Sequence, residues 1–82
     1  MYKTSVHFET VVDAKAFVSI CNDMDFKVEL VSGPYIIDAK SIMGLFSLDL
    51  SKPIELVAHC KNDDQCQRFQ EKIEKFQVQE TM

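Results

Sequence analysis

The stretch DAKSIMGLFSLDL, residues 38–50, decides both the fold and the candidate functional surface of this chain. Ser41 precedes an apolar segment and is a typical helix N-cap, so a short helix is predicted to begin directly after it. Two helical turns on a sheet bury about half of their side chains, yet this segment carries six large apolar residues: Ile42, Met43, Leu45, Phe46, Leu48 and Leu50. We therefore expect some of Ile42, Met43 and Phe46 to remain in water.

The surplus of apolar side chains has two interpretations that the residues alone leave open. An exposed apolar patch usually marks a partner-binding site, and methionine suits adaptable contacts. Alternatively, the patch packs beneath the following DLSKP segment or forms the contact of a homodimer.

The flanking segments are predicted strands. Upstream, DFKVELV alternates with Phe26, Val28 and Leu30 inward, SGP is a turn, and YIIDAK completes a hairpin. Downstream, PIELVAHC is a strand with Ile54, Leu56 and Ala58 on one face.

The two ends of the chain add one strand and two helices. YKTSVHF alternates as a half-buried strand that includes His7. The next segment is a helix capped by Thr10, with Asp13 in its first turn and a buried stripe of Val11, Ala14, Phe17, Val18, Cys21 and Met24. The last helix, NDDQCQRFQEKIEKF, is capped by Asn62, carries an exposed Glu71–Lys75 pair, and buries Cys66, Phe69, Ile73 and Phe76. This β-α-β-β-α-β-α order predicts one α+β domain over residues 1–82, a four-stranded antiparallel sheet with helices on one face.

Composition excludes several classes of function. The net charge of −4 argues against nucleic acid and against an anionic membrane surface. The first residues do not form a signal peptide, and no apolar run is long enough to span a membrane, so we expect a cytoplasmic protein. The three cysteines Cys21, Cys60 and Cys66 form no CxxC pair and are expected to be reduced thiols.

No catalytic or metal site emerges from the chemistry of the side chains. If the first and last strands pair, His7 and His59 could be neighbours on the solvent face of the sheet, but close ligand pairs such as CxxC or HxxxH are missing. The two glycines, Gly33 and Gly44, do not form a phosphate-binding loop or a nucleophile elbow. We expect no enzyme, no metal and no cofactor.

The segments AKSIMGLFSL and IELV, separated by a short polar turn, strongly resemble the histidine-containing phosphocarrier (HPr) family of the bacterial sugar phosphotransferase system. The likeness runs without gaps from about Phe26 to the end of the last helix. In that family KSIMG opens the second helix of a β-α-β-β-α-β-α fold, an open-faced sandwich with three helices on one face of the sheet. The order predicted from the residues agrees with it.

The resemblance also locates the family's phosphoryl-accepting histidine, which opens the first helix ahead of a Phe-Val pair. Counting back from Phe17–Val18 puts Thr10 at that position, Val12 in place of the arginine that steadies the phosphate, and Asp13 in place of a proline. A threonine phosphate is a stable ester and cannot serve as a fast relay, and Asp13 would repel it. His7, predicted to lie within the first strand, is away from the helix amides that hold phosphate.

The regulatory position of the family looks intact. In many Firmicutes members a dedicated kinase phosphorylates the serine of KSIMG, which is Ser41 here. The resemblance implies that Ile42, Met43 and Phe46 contact Enzyme I, sugar permease domains and, after serine phosphorylation, a transcription regulator of catabolite control. Serine-only relatives exist, such as the catabolite-repression HPr-like protein, and this chain resembles that type.

We therefore expect a regulatory or partner-binding HPr-like protein that acts in carbon catabolite regulation, as a monomer or weak homodimer. Two alternatives stay open. One is a genuine phosphocarrier with an unconventional acceptor, and the other is a structural or dimerising domain on the same scaffold.

Overall fold

The computed structural model describes residues 1–78. Its strands and helices follow the predicted order: β1 Tyr2–Val6, α1 Val11–Asn22, β2 Val28–Ser32, β3 Tyr35–Asp38, α2 Ile42–Phe46, β4 Ile54–Ala58 and α3 Asp63–Lys72. The strands form one open antiparallel sheet in the order β1-β4-β2-β3. The predicted α+β open sandwich, with three helices against the sheet, is confirmed. No helix within residues 1–78 is long and apolar enough to cross a bilayer.

The buried face of the sheet follows the period-two pattern of the strands. Because side chains alternate between the two faces of a strand, every second residue meets the helices. The inward residues predicted for β2 and β4 are confirmed, since all of the following are buried: Phe26, Val28, Leu30, Ile54, Leu56 and Ala58. At the end of β1, Val6 and Phe8 are buried as well, whereas Tyr2 and Thr4 on the same face are only half-buried. The buried side chains of this face join the buried residues of the helices in one core cluster.

Contacts between aromatic rings pack the helices against this core. Phe8 and Phe17 lie 5.0 Å apart between ring centroids, and Phe76 stands edge-on to Phe17 at 5.7 Å. A second edge-on pair, Phe26 and Phe69 at 5.6 Å, joins the segment before β2 to α3. Tilted and edge-on pairs of this kind are worth about 0.5–1.5 kcal/mol beyond the area they bury.

Each helix begins at a polar residue whose side chain accepts a hydrogen bond from a backbone N–H three residues later. The three predicted caps are confirmed: Thr10 accepts from Asp13 at 3.1 Å, Ser41 from Gly44 at 3.1 Å, and Asn62 from Gln65 at 2.9 Å. All three cap residues have extended backbone. Because the first amides of a helix lack partners within it, each cap is worth about 1 kcal/mol.

The β2–β3 hairpin turns on Gly33 and Pro34, between the paired residues Ser32 and Tyr35. Gly33 has φ +59°. Two-residue hairpin loops need positive φ at their first position, which only glycine adopts without steric cost.

The C-terminal part of the chain differs from the prediction of one long helix. Helix α3 ends at Lys72, and a 3-10 turn follows over Glu74–Phe76. The predicted Glu71–Lys75 ion pair is wrong: Lys75 lies in that turn with its Nζ 4.9 Å from the centre of the Phe76 ring. After the turn, the N–H of Val78 donates to the carbonyl of Ser5 at 2.9 Å, so the chain pairs briefly with the edge strand β1.

Candidate partner-binding surface

Ser41 caps a helix of only five residues and is itself exposed. Its N–H donates to the carbonyl of Asp38 at 3.0 Å, and its Oγ accepts from Gly44. The Asp38 carboxylate accepts from the backbone N–H of Lys40 at 2.9 Å, which fixes the path of the chain into the helix. The hydroxyl that the resemblance marks for phosphorylation therefore faces solvent at a defined position.

The apolar side chains of α2 divide into a buried set and an exposed set, as expected. Leu45 is fully buried, and Ile42 is half-buried against the core. Met43 is 82% exposed and Phe46 is 42% exposed. Of the three residues expected near water, Met43 and Phe46 lie there clearly and Ile42 only partly.

Helix α1 runs alongside α2 in the opposite direction. The Nδ2 of Asn22, in the last turn of α1, donates to the carbonyl of Lys40 just before α2 at 3.1 Å. At the other end, Val11 lines one depression together with Leu50, which follows α2. The first turn of α1 therefore lies near the segment that follows α2.

The first turn of α1 also carries exposed apolar residues. Val11 is 57% exposed and Val12 is 74% exposed. The prediction that Val11 belongs to the buried stripe is therefore wrong. We name Val11, Val12, Met43 and Phe46 the α1–α2 surface.

Thr10, the position that the resemblance matches to the phosphoryl-accepting histidine, is exposed at the start of α1. Its Oγ1 accepts a hydrogen bond from the N–H of Asp13, so the side chain caps the N-terminus of α1. The carboxylates of Glu9 and Asp13 flank it in the sequence, and the sequence of the first turn of α1 contains no arginine. Both carboxylates would repel a phosphate on Thr10.

His7 lies outside the strand, contrary to the prediction. Strand β1 ends at Val6, and the half-buried His7 lines the depression that also holds Thr10, Val11 and Leu50. The same side chain borders a second depression with Glu9, Asp13 and Lys75. The sequence pattern missed this because His7 continues the alternation of β1 after the strand has ended.

The two histidines are not neighbours. Strands β1 and β4 do pair, but in a register that sets Tyr2 opposite Ala58 and Val6 opposite Ile54. His7 and His59 therefore lie at opposite ends of that strand pair. His59 instead places its Nε2 2.7 Å from Glu29 Oε1, and this hydrogen bond is the main reason that the pKa of Glu29 is lowered. Within the described part of the chain, no three His, Cys, Asp or Glu side chains converge as metal ligands do.

The expectation that all cysteines are reduced thiols is also wrong. Cys60 and Cys66 form a disulfide, with their Cα atoms 5.4 Å apart. Cys21 is free and fully buried, and burial raises the pKa of its thiol to about 12. The six residues between them do not reveal this bond, because it depends on how the turn after β4 leads into α3.

Comparison with known proteins gives a match of structure and none of sequence. No family model matches the chain, and no curated protein sequence does. Among solved structures, HPr-C-His from Thermoanaerobacter tengcongensis superposes with a TM-score of 0.70 at 19% sequence identity, over 89% of this chain and 90% of that one. The chain therefore has an HPr-like fold.

Proposed function

We propose that this chain is a regulatory protein of the phosphotransferase-system type that binds other proteins through the α1–α2 surface and carries no phosphoryl group on a histidine. The observation that carries the proposal is the exposure of Met43 and Phe46 beside the fully buried Leu45. Packing against the sheet requires Leu45 but not Met43, so the fold alone does not account for that side chain in water. Exposed apolar groups on a small acidic domain are typical of a partner site.

Ser41 is the proposed switch of this surface. Its hydroxyl is exposed two residues before Met43. It lies at the N-terminus of α2, where the first amides of the helix favour an anion. A phosphate there adds nearly two negative charges to the edge of an apolar patch. The modification therefore changes which partners the surface binds without any need to alter the core.

A kinase assay tests the switch. The protein is incubated with HPr kinase and ATP, and the modified residue is located by mass spectrometry. We expect one phosphate on Ser41, no phosphate on the Ser41→Ala variant, and full phosphorylation of Ser47→Ala. Ser47 is the matched control because it is an exposed serine at the other end of the same helix. A chain that takes no phosphate on Ser41 has no such switch.

A binding measurement tests the surface. Met43→Asp is expected to weaken binding to the kinase by at least about tenfold, since it places a charge in an apolar contact. Ile36→Asp is the matched control, because Ile36 is 64% exposed on β3 and lies outside the α1–α2 surface. Equal losses for both variants, or unfolding of Met43→Asp, would contradict a docking role for Met43.

A phosphocarrier with an unconventional acceptor is the second candidate, and the position of His7 favours it. The imidazole shares a depression with Thr10 at the N-terminus of α1, which is where family members hold their phosphohistidine. Incubation with phosphoenolpyruvate and Enzyme I then produces an acid-labile label that disappears in His7→Ala. An unlabelled chain at high enzyme concentration excludes this function, and the flanking carboxylates of Glu9 and Asp13 argue for that result.

A further inference from the structure

The Cys60–Cys66 disulfide has no part in the α1–α2 surface and joins the segment after β4 to the first turn of α3. Its two residues differ in exposure. Cys60 is 5% exposed, whereas Cys66 is half-buried and borders an open depression on the outer side of α3 together with Gln67 and Gln70. Cys66 is therefore the more accessible of the two residues to a thiol in solution.

The segment that carries the two cysteines is held in place by contacts other than the disulfide. Asn62 caps α3, and the Oε1 of Gln65 accepts from the N–H of Lys61 at 2.8 Å. Phe69 and Ile73 are fully buried in the core. Reduction therefore leaves the two thiols adjacent, ready to form the bond again.

The surroundings of Cys60 accommodate a thiol as well as a disulfide. The carbonyl oxygen of Ala58 lies 3.7 Å from Cys60 Sγ, within the range of an S–H donor. Cys21 takes no part, because it is fully buried and its thiolate is strongly disfavoured. The thiol–disulfide chemistry of the chain is thus confined to Cys60 and Cys66.

We propose that Cys60 and Cys66 form a reversible redox pair that exchanges with low-molecular-weight thiols of the glutathione class, with Cys66 as the sulfur that is attacked. In the first step a glutathione thiolate bonds to Cys66 Sγ, the Cys60–Cys66 bond breaks, and Cys60 leaves as a thiolate that takes a proton from water. A second glutathione thiolate then attacks the glutathione sulfur of the mixed disulfide. It releases Cys66 as a thiolate and forms glutathione disulfide, so two electrons pass to the protein.

A redox titration tests reversibility. The whole chain is equilibrated under native conditions with glutathione and glutathione disulfide at a series of ratios, quenched in acid, alkylated and analysed by mass spectrometry. We expect Cys60 and Cys66 to change state together, the far-ultraviolet circular dichroism to stay constant, and Cys21 to remain unlabelled until the chain is unfolded. A bond that resists every ratio in the folded protein is a structural cross-link, and that result overturns the proposal. A dithiol that excess glutathione disulfide fails to oxidise overturns it equally.

Trapping tests which sulfur is attacked. The Cys60→Ala and Cys66→Ala variants are each treated with glutathione disulfide, and the rate of mixed-disulfide formation is measured. Since rate follows access, Cys66 is expected to react at least about tenfold faster than Cys60. Equal rates, or a faster Cys60, contradict attack at Cys66. If either variant fails to fold, the glutathione adduct trapped by acid during reduction of the unaltered chain identifies the same sulfur.

Discussion

A Cβ atom built on Gly44 would lie 3.3 Å from the Oγ of Ser41. The same Oγ accepts the hydrogen bond of the Gly44 N–H at 3.1 Å. The two residues are therefore matched: glycine leaves the space in which the capping hydroxyl sits. A glycine inside a helix costs about 1 kcal/mol relative to alanine. Helix α2 therefore has a residue of low helix propensity at the position that lies against the Ser41 hydroxyl.

Gly44→Ala is predicted to change stability by an amount that depends on residue 41. In the unaltered chain, the gain of about 1 kcal/mol in helix propensity is offset by crowding of the capping hydroxyl, so the net change is close to zero. In the Ser41→Ala background, where no hydroxyl is crowded, the same substitution stabilises the protein by about 0.5–1 kcal/mol. Urea unfolding of the four proteins measures this coupling. Equal effects of Gly44→Ala in both backgrounds would show that the cap tolerates the added methyl group.

Leu45 and Met43 are predicted to differ sharply when each is replaced by alanine. Leu45 is fully buried, so Leu45→Ala removes core contacts and leaves a cavity, at a cost of about 2–5 kcal/mol. Met43 is 82% exposed, and Met43→Ala is expected to change the free energy of unfolding by less than about 0.5 kcal/mol. Urea unfolding of the two variants measures both changes in the free energy of unfolding. It thereby distinguishes the core residue Leu45 from Met43, which is available to a partner. A large loss in Met43→Ala would place that residue in the core.

The fold could be predicted from the sequence because its signals are local. Alternation defined the strands, a three- and four-residue period defined α1, and polar residues at Thr10, Ser41 and Asn62 marked the three helix starts. The predictions are wrong where the end of a strand or helix depends on tertiary contacts. The end of β1 before His7 and the break in the last helix at Lys72 depend on how the C-terminal chain meets β1, which the local pattern does not contain.

The candidate surface was predictable only in part, for a related reason. The excess of apolar residues after Ser41 indicated correctly that Met43 and Phe46 reach water. The contribution of Val11 and Val12 requires knowing where the first turn of α1 lies relative to α2. The same holds for the cysteines, since their spacing alone does not say that the turn after β4 brings Cys60 and Cys66 together.

Glu29 is predicted to stabilise the fold in a pH-dependent way. Its pKa is lowered first by the hydrogen bond from His59 and further by Lys27, whose Nζ lies 3.6 Å from Oε2. A lowered pKa in the folded state means that the contribution is present above the usual pKa of an unfolded glutamate and is lost as the pH falls through the lower folded pKa.

Urea midpoints measured between neutral and acid pH test this effect. We expect Glu29→Gln to be less stable than the unaltered chain at neutral pH and equal to it in strong acid, and the difference to shrink in high salt because the pair is near the surface. Glu55→Gln is the control, since Glu55 is exposed on the adjacent strand β4. A difference that grows on acidification would mean that the interaction does not favour the carboxylate.

Thr10 is predicted to act as a helix cap, and its substitutions distinguish that role from a chemical one. Thr10→Ala removes the acceptor for the Asp13 N–H and is expected to cost about 1 kcal/mol, whereas Thr10→Ser keeps the acceptor and costs little. Asn62→Ala provides the matched control, because it removes the equivalent bond at α3 and should cost a similar amount. Thr10→His is expected to resemble Thr10→Ala in stability, since imidazole is not a preferred cap. If Thr10→Ala leaves the free energy of unfolding unchanged while Asn62→Ala lowers it, the threonine is not present for capping, and its exposed hydroxyl needs another explanation.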